Sequence, residues 1–338
     1  MVPRSLLART RRCGCAPAFV LGARFCSASA STLTPSSRFS DSVLGKILGR
    51  AAGRQRRIVF PEGNDQRVID AAVRVKQEGI AEVTVISPGE NSMLRKAGVC
   101  VEALGSSGSF DADALERAHE LVGKGDADGV VSGAVHTSGN VIRKSIQHFR
   151  KKGVSLSSFF LMVDEKDANE KMYMFADCSV LVEPTSEQLV DITVESIKSY
   201  RLLFGRDPKV AMLSFSTKGS ADAPSVRRVR AALEAIRAEH PDVAHLVDGE
   251  FQADVATCID VAKHKKCDNG NVAGNADVLI FPSLDSGNIA YKLTERLGGY
   301  TAIGPVLQGL DKPCSDLSRG CSVEDIICAA AIASLQSQ

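Results

Sequence analysis

No run in the 338-residue chain approaches the roughly 20 uncharged apolar residues that a membrane span requires, so no membrane partner is expected. Other signatures are missing too. There is no Walker loop, no G-x-G-x-x-G fingerprint and no fixed-period internal repeat. His119, His136, His148, His240, His245 and His264 form neither an H-E-x-x-H motif nor an i, i+4 pair, and no metal is expected. The ten cysteines contain no C-x-x-C pair, and three of them, Cys13, Cys15 and Cys26, lie near the N-terminus. The remaining seven are an odd number, which suits free, mostly buried thiols in a reducing compartment better than a disulfide framework.

Acidic residues are absent before Asp41, while Arg4, Arg9, Arg11, Arg12, Arg24 and Arg38 stand among Ser, Ala and Leu. Residues 1–40 therefore read as a cleaved organelle-targeting leader, with the mitochondrial matrix expected and a plastid as the alternative. Removing those six arginines leaves 35 basic against 40 acidic residues and turns the formal charge from +1 to −5. A nucleic-acid partner would lack its electrostatic footprint.

What is present is an ordinary globular composition, 44 % hydrophobic and 24 % charged, which excludes disorder and collagen-like repeats and allows two cores. From Arg57 onward short apolar runs alternate with helical patterns: RIVFP then QRVIDAAVRVKQEG, EVTVIS, later DGVVSGA then NVIRKSIQHFRKKG. Such alternation implies an α/β fold of two domains, with mainly parallel sheets carrying helices on both faces. SSFFLMV and KMYMFADCSVLV read as an antiparallel pair at a sheet edge. Thr185 and Gln188 form a capping box before a long helix. Candidate crossings between domains are Lys151-Lys152-Gly153 and the stretch around Gly298, Gly299 and Gly304, with the cleft between domains as the ligand site.

Strand ends followed by small or polar residues and a helix are where open α/β sheets bind ligands. In VVSGAVHTSGNVIRKS, Ser132 and Gly133 end a strand, Thr137 stands in a hydroxyl-rich turn, and Arg143 follows on the helix. Backbone N–H groups there suit an anion, although a plain capped turn reads the same way. FPSLDSGNIAYKL repeats the design with Asn288, Tyr291 and Lys292. In DLSRGCSVEDI, Ser322 and Asp325 start a helix as a capping box, burying Val323, Ile326, Ile327 and Ala330 on one face. That leaves Ser318 and Arg319 unexplained, a hydroxyl and a guanidinium beside a helix end that favours anions.

At this point the chain resembles the phosphate acetyltransferases. The similarity is carried by GPVLQGLDKPCSDLSRGCSVEDI, IVFPEGNDQRVIDAA, DADGVVSGAVHTSGNVIRKSIQ, VEPTSEQLVDI, HLVDGEFQADVA and LDSGNIAYKL, in order over residues 57 to 330. The resemblance implies acetyl transfer between acetyl phosphate and coenzyme A, with coenzyme A, acetyl-CoA and phosphate as substrates and no bound cofactor. It also implies a homodimer with an isocitrate or isopropylmalate dehydrogenase-like fold. The domains would be residues 41–152 plus 308–338, and 153–307, with the active site between them. Matched to the family pattern, Asp325 is the general base for the thiol, Ser318 positions the reacting groups and Arg319 holds the phosphoryl group. Arg143 is a second active-site arginine, and Ser132, Gly133, Thr137, Asn288, Tyr291 and Lys292 line the acetyl phosphate site. Residues 88–125 are shorter than the family pattern, and Arg95 inherits no role in holding coenzyme A. Cys321 has no histidine neighbour and reads as structural. The alternatives are a phosphate butyryltransferase and a non-catalytic acetyl-CoA-sensing domain. Ser318, Arg319 and Asp325 standing together argue against the second, and a nicotinamide dehydrogenase is suggested by fold analogy alone.

Overall fold

Strand and helix alternate along the chain because each short β-branched run is followed by turn residues and then by a 3.6-residue apolar period. The computed structural model describes residues 40, 42–104, 110–166 and 171–337, so the leader expected over residues 1–40 falls, but for residue 40, outside the described residues. The order is α1 (Val43–Ala51), β1 (Arg57–Phe60), α2 (Gln66–Gln77), β2 (Glu82–Ser87), α3 (Ser92–Lys96), β3 (Cys100–Ala103), α4 (Phe110–Lys124), β4 (Gly129–Ser132) and α5 (Ser138–Phe149). Then come β5 (Ser157–Val163), β6 (Met172–Ala176), α6 (Ser186–Phe204), β7 (Val210–Leu213), α7 (Pro224–Glu239), α8 (Pro241–Ala244), β8 (Val247–Phe251), α9 (Ala253–Thr257) and α10 (Ile259–His264). The chain closes with β9 (Val278–Ile280), α11 (Leu284–Arg296), β10 (Thr301–Gln308), β11 (Cys314–Asp316) and α12 (Val323–Gln336). No helix among the described residues is long and apolar enough to cross a membrane.

All eleven strands join one sheet in the order β3-β2-β1-β4-β11-β10-β5-β6-β9-β7-β8. Pairing is parallel from β3 to β11 and from β6 to β8, and antiparallel through the middle, where β10 lies between β11 and β5. The antiparallel pair β5–β6 therefore sits in the interior of the sheet, not at the edge expected from its sequence. Its burial explains the correction: all seven residues of β5 are buried, so both faces are covered, as a continuous apolar run without alternation requires.

On one face of the sheet a single apolar cluster runs through α1, α2, α6, α7 and α12, while a second and a third are built from α9–α11 and from α4–α5. The expected box at Thr185 and Gln188 starts α6. Helix α12 corrects another expectation. It buries every residue from Ile326 to Leu335 and has no single apolar face, because α1, α2, α6 and the strands β1, β4, β10 and β11 surround it.

One titratable group lies deep in this scaffold. His119 on α4 is fully buried, its Nδ1 is 2.8 Å from the Leu115 carbonyl and its Nε2 is 3.4 Å from Ser145 Oγ. Burial pushes its imidazole down to about 4, and the nearby His148 and Lys144 act in the same direction, against Glu116. The folded value lies below the unfolded one, so the contribution to stability is complete above about pH 6.5 and is lost as the pH falls toward 4, amounting to about 3 kcal/mol. Urea midpoints of wild type and His119→Leu, measured from pH 7 down, should converge as the pH falls, the variant curve being the flatter. Parallel curves would count against this assignment.

Candidate active site

Three neighbouring strands, β1, β4 and β11, run parallel and deliver their carboxyl ends side by side. In such sheets the loops leaving those ends carry the ligand groups. Here they are residues 61–65, 133–137 and 317–322.

The first loop supplies Glu62, which is 1 % exposed. Its carboxylate accepts backbone N–H bonds from Gly133 at 3.0 Å, Ala134 at 3.0 Å, and Val135 and His136 at 2.9 Å, plus one from His136 Nδ1 at 2.7 Å. The ring's Nε2 faces the Asp111 carbonyl at 2.8 Å. With an acceptor at each nitrogen the imidazole carries both protons. Burial alone would raise the Glu62 carboxyl, yet the bonds from His136, Val135 and Gly133 hold it below the usual carboxylate range. Burial would likewise lower His136, and Glu62 together with Asp111 more than reverses this. The anion-binding turn expected after β4 therefore exists, but the protein's own carboxylate fills it. Gly133 is required there: its φ is +115°, and a Cβ would lie 2.4 Å from the Leu317 nitrogen.

Arg67, the second residue of α2, ties the loops together. Its Nη1 donates to the carbonyls of Arg319 at 2.9 Å and Cys321 at 2.8 Å, and its Nη2 donates to that of Ala134 at 3.1 Å. Asp65, the N-cap of α2, pairs with the same guanidinium at 2.8 Å.

The third loop ends in the predicted box. Asp325 N donates to Ser322 Oγ at 3.1 Å, while Asp325 Oδ2 accepts from Ser322 N at 2.8 Å and from Ser322 Oγ at 2.9 Å. Both bonds to the carboxylate fall on Oδ2, leaving Oδ1 without a hydrogen-bond partner among the described residues. Ser318 and Asp325 line a cavity of about 420 Å³ with Tyr291, Lys292, Arg296 and Cys321, closed on its apolar side by Phe160, Ile303, Val306 and Leu317. Tyr291 stacks on Phe160 with ring centroids 4.1 Å apart. Lys292 Nζ donates to Asn288 Oδ1 at 2.9 Å, and Asn288 Nδ2 to the Cys178 carbonyl at 3.1 Å. Burial pushes the Cys321 thiol up to about 11, so it stays protonated near neutral pH.

Of the residues singled out by sequence, Ser318, Asp325, Tyr291 and Lys292 share this cavity, and Asn288 adjoins it through Lys292. Arg319 is exposed outside the lining, between the lining residues Ser318 and Gly320, and its guanidinium makes no ion pair with a described residue. Arg143 is exposed on α5, bonded to Asn140 at 3.3 Å, and Thr137 is an exposed N-cap with no capping bond from its side chain. Ser132 and Gly133 are buried beneath the loops, and the Ser132 hydroxyl has no hydrogen-bond partner among the described residues. Sequence reasoning missed Glu62 and Arg67, and read His136 only as a member of the turn after β4. The signal was an acid, PEG, directly after a strand, in a segment quoted only for its resemblance.

Known proteins agree with this architecture. A family model described as phosphate acetyl/butaryl transferase matches residues 42–109 and 106–334. A phosphate acetyltransferase of Acetivibrio thermocellus is 38 % identical, covering 88 % of this chain and 98 % of its own. The crystal structure of a phosphotransacetylase from Streptococcus pyogenes superposes with a TM-score of 0.77 at 38 % identity, covering 87 % of this chain and 98 % of its own. A 4-hydroxythreonine-4-phosphate dehydrogenase from Klebsiella pneumoniae, 13 % identical with a TM-score of 0.53 and coverage of 84 % and 100 %, shares the fold alone.

Proposed function

The chain belongs to the phosphate acetyl/butaryl transferase family, and we infer from its site that it transfers an acetyl group reversibly between acetyl phosphate and the thiol of coenzyme A at the head of α12. The observation that carries this reading is one cavity in which Ser318 and Asp325 face an apolar wall, with Lys292 and Arg296 at its margin.

The chemistry divides among those groups. A thiol of pKa near 8.5 is mostly protonated at pH 7, so Asp325 Oδ1 is assigned to take its proton. The sulfur then bonds to the acetyl carbon, an oxyanion forms on the carbonyl, and the bond to the phosphate oxygen breaks as phosphate leaves. Both charges develop beside the N-terminus of α12, where the helix dipole favours anions, and Ser318 and Arg319 are the adjoining donor and cation. Arg143 and Thr137, without other strong partners, are assigned to the phosphoryl group. No step calls for a metal, a bound cofactor or an acyl-enzyme, and the protonated Cys321 thiol suits direct attack.

The reading places the reaction in a cleft between two domains, supported by the cavity lying between α11, β10 and the start of α12. The arginine-rich residues 1–40 support import into the mitochondrial matrix, with a plastid as the alternative. A homodimer is supported by Ile289 and Leu293 on α11 and Leu297 at its C-cap, spaced four apart and exposed by 57 %, 52 % and 82 %.

Residues 41–338 should form acetyl-CoA from acetyl phosphate and coenzyme A faster than they use butyryl phosphate. Arg319→Ala should lose about 100-fold or more in kcat, the scale of removing one charge-stabilising donor. Asp325→Asn should fold and lose rate most at low pH, where less thiolate forms without a base; full activity in that variant would remove Asp325 as the base. In sedimentation the chain should run as a dimer and Leu293→Glu as a monomer, and a monomeric wild type would refute the interface.

A further inference from the structure

The turn that carries Ser318 and Arg319 has little structure of its own. Residues 318–320 are exposed, and within the turn only Cys321 N to the Ser318 carbonyl, at 2.9 Å, and Gly320 N to Ser318 Oγ, at 3.3 Å, hold it. Two of its carbonyls, those of Arg319 and Cys321, are instead held by one guanidinium 252 and 254 residues away in sequence.

We propose that Arg67 is a positioning residue for acyl transfer, whose guanidinium sets the backbone of residues 319–321 and so the pose of Ser318, Arg319 and the start of α12. The planar fork of arginine suits this: one nitrogen reaches both carbonyls of the turn while the other reaches Ala134, in the loop that Glu62 clamps. Thus the loops after β4 and β11 are fixed to each other through one side chain. Asp65 pairs with the guanidinium on its other side, at 2.8 and 3.1 Å, so the nearby positive charge is largely answered inside the protein. What Arg67 contributes is therefore geometry rather than charge at the substrate. Arg67 reaches the cavity only through the backbone of its lining residue Cys321 and does not line it itself, which is why the residue acts through Ser318 and Arg319. A misplacement of about 1 Å at reacting groups costs on the order of 100-fold in rate, so such a tether matters to kcat before it matters to binding.

The inference rests on the acetyl-transfer reading, and its test is built so that the two fail separately. Arg67→Lys keeps the charge and loses the fork. It should lower kcat by about tenfold or more while KM for acetyl phosphate and coenzyme A changes by less than about threefold. Low-millimolar guanidinium should restore part of the rate to Arg67→Ala and do nothing for the wild type. In the ligand-free chain, hydrogen exchange at residues 317–322 should quicken by about tenfold in Arg67→Lys, with the body of α12 unchanged. A wild-type kcat in Arg67→Lys, or exchange that quickens over the whole chain together, would overturn the proposal in favour of a general stabilising role. If the wild type transfers no acetyl group, the functional reading fails, and local exchange at 317–322 still decides whether Arg67 fixes the turn.

Discussion

A buried carboxylate, Glu62, accepts five hydrogen bonds from one short loop, four from consecutive backbone N–H groups and one from the His136 ring. An ion removed from water costs several kcal/mol unless it is paired and fully bonded, and here both conditions are met at once. The arrangement explains the loop as much as the carboxylate. Successive N–H groups pointing into one concavity cannot be satisfied by each other, so the chain supplies an internal anion where a ligand anion would otherwise be needed. With that turn fixed, the place left for an external anion shifts to the adjoining turn, around Ser318 and the head of α12.

The rest of the scaffold serves this pair of turns. Strands β1, β4 and β11 are neighbours in the sheet, which brings Glu62, its target loop and the Ser318 turn into one row. Gly133 permits the close approach, since any side chain there would strike Leu317. Helix α12, buried on all sides from Ile326 on, cannot shift without disturbing the helices and strands around it, so Asp325 at its first turn is presented from a rigid base. A polar cavity margin over an apolar wall then meets the needs of a ligand with a charged phosphate, a small acyl group and a thiol.

Much of this was legible locally. The boxes at Thr185 and Ser322 depend on residues three apart, so they can be read from sequence and appear as written. Strand and helix periods placed the alternation correctly. What failed was non-local. The run SSFFLMV has no polar alternation because it is covered on both faces, a sign of an interior strand that its antiparallel partner obscured. Helix α12 shows apolar residues all round, which Ile326, Ile327 and Ala330 understated, while Val323, also expected inside, is only half-buried. Glu62 and Arg67 act on partners more than 60 residues away, and no spacing rule announces such bonds. Ser318, Asp325, Tyr291 and Lys292 do meet in one cavity, whereas Arg319, Arg143 and Thr137 are exposed outside its lining.

The central claim is that an internal carboxylate organises the site for acyl transfer. Glu62→Gln tests it most directly, because glutamine is nearly the same size but turns one acceptor into a donor facing a row of N–H groups. Acetyl-CoA formation should fall by about 100-fold or more in a variant that still unfolds cooperatively, with residues 133–137 losing protection from exchange. Wild-type turnover in a folded Glu62→Gln would contradict the account.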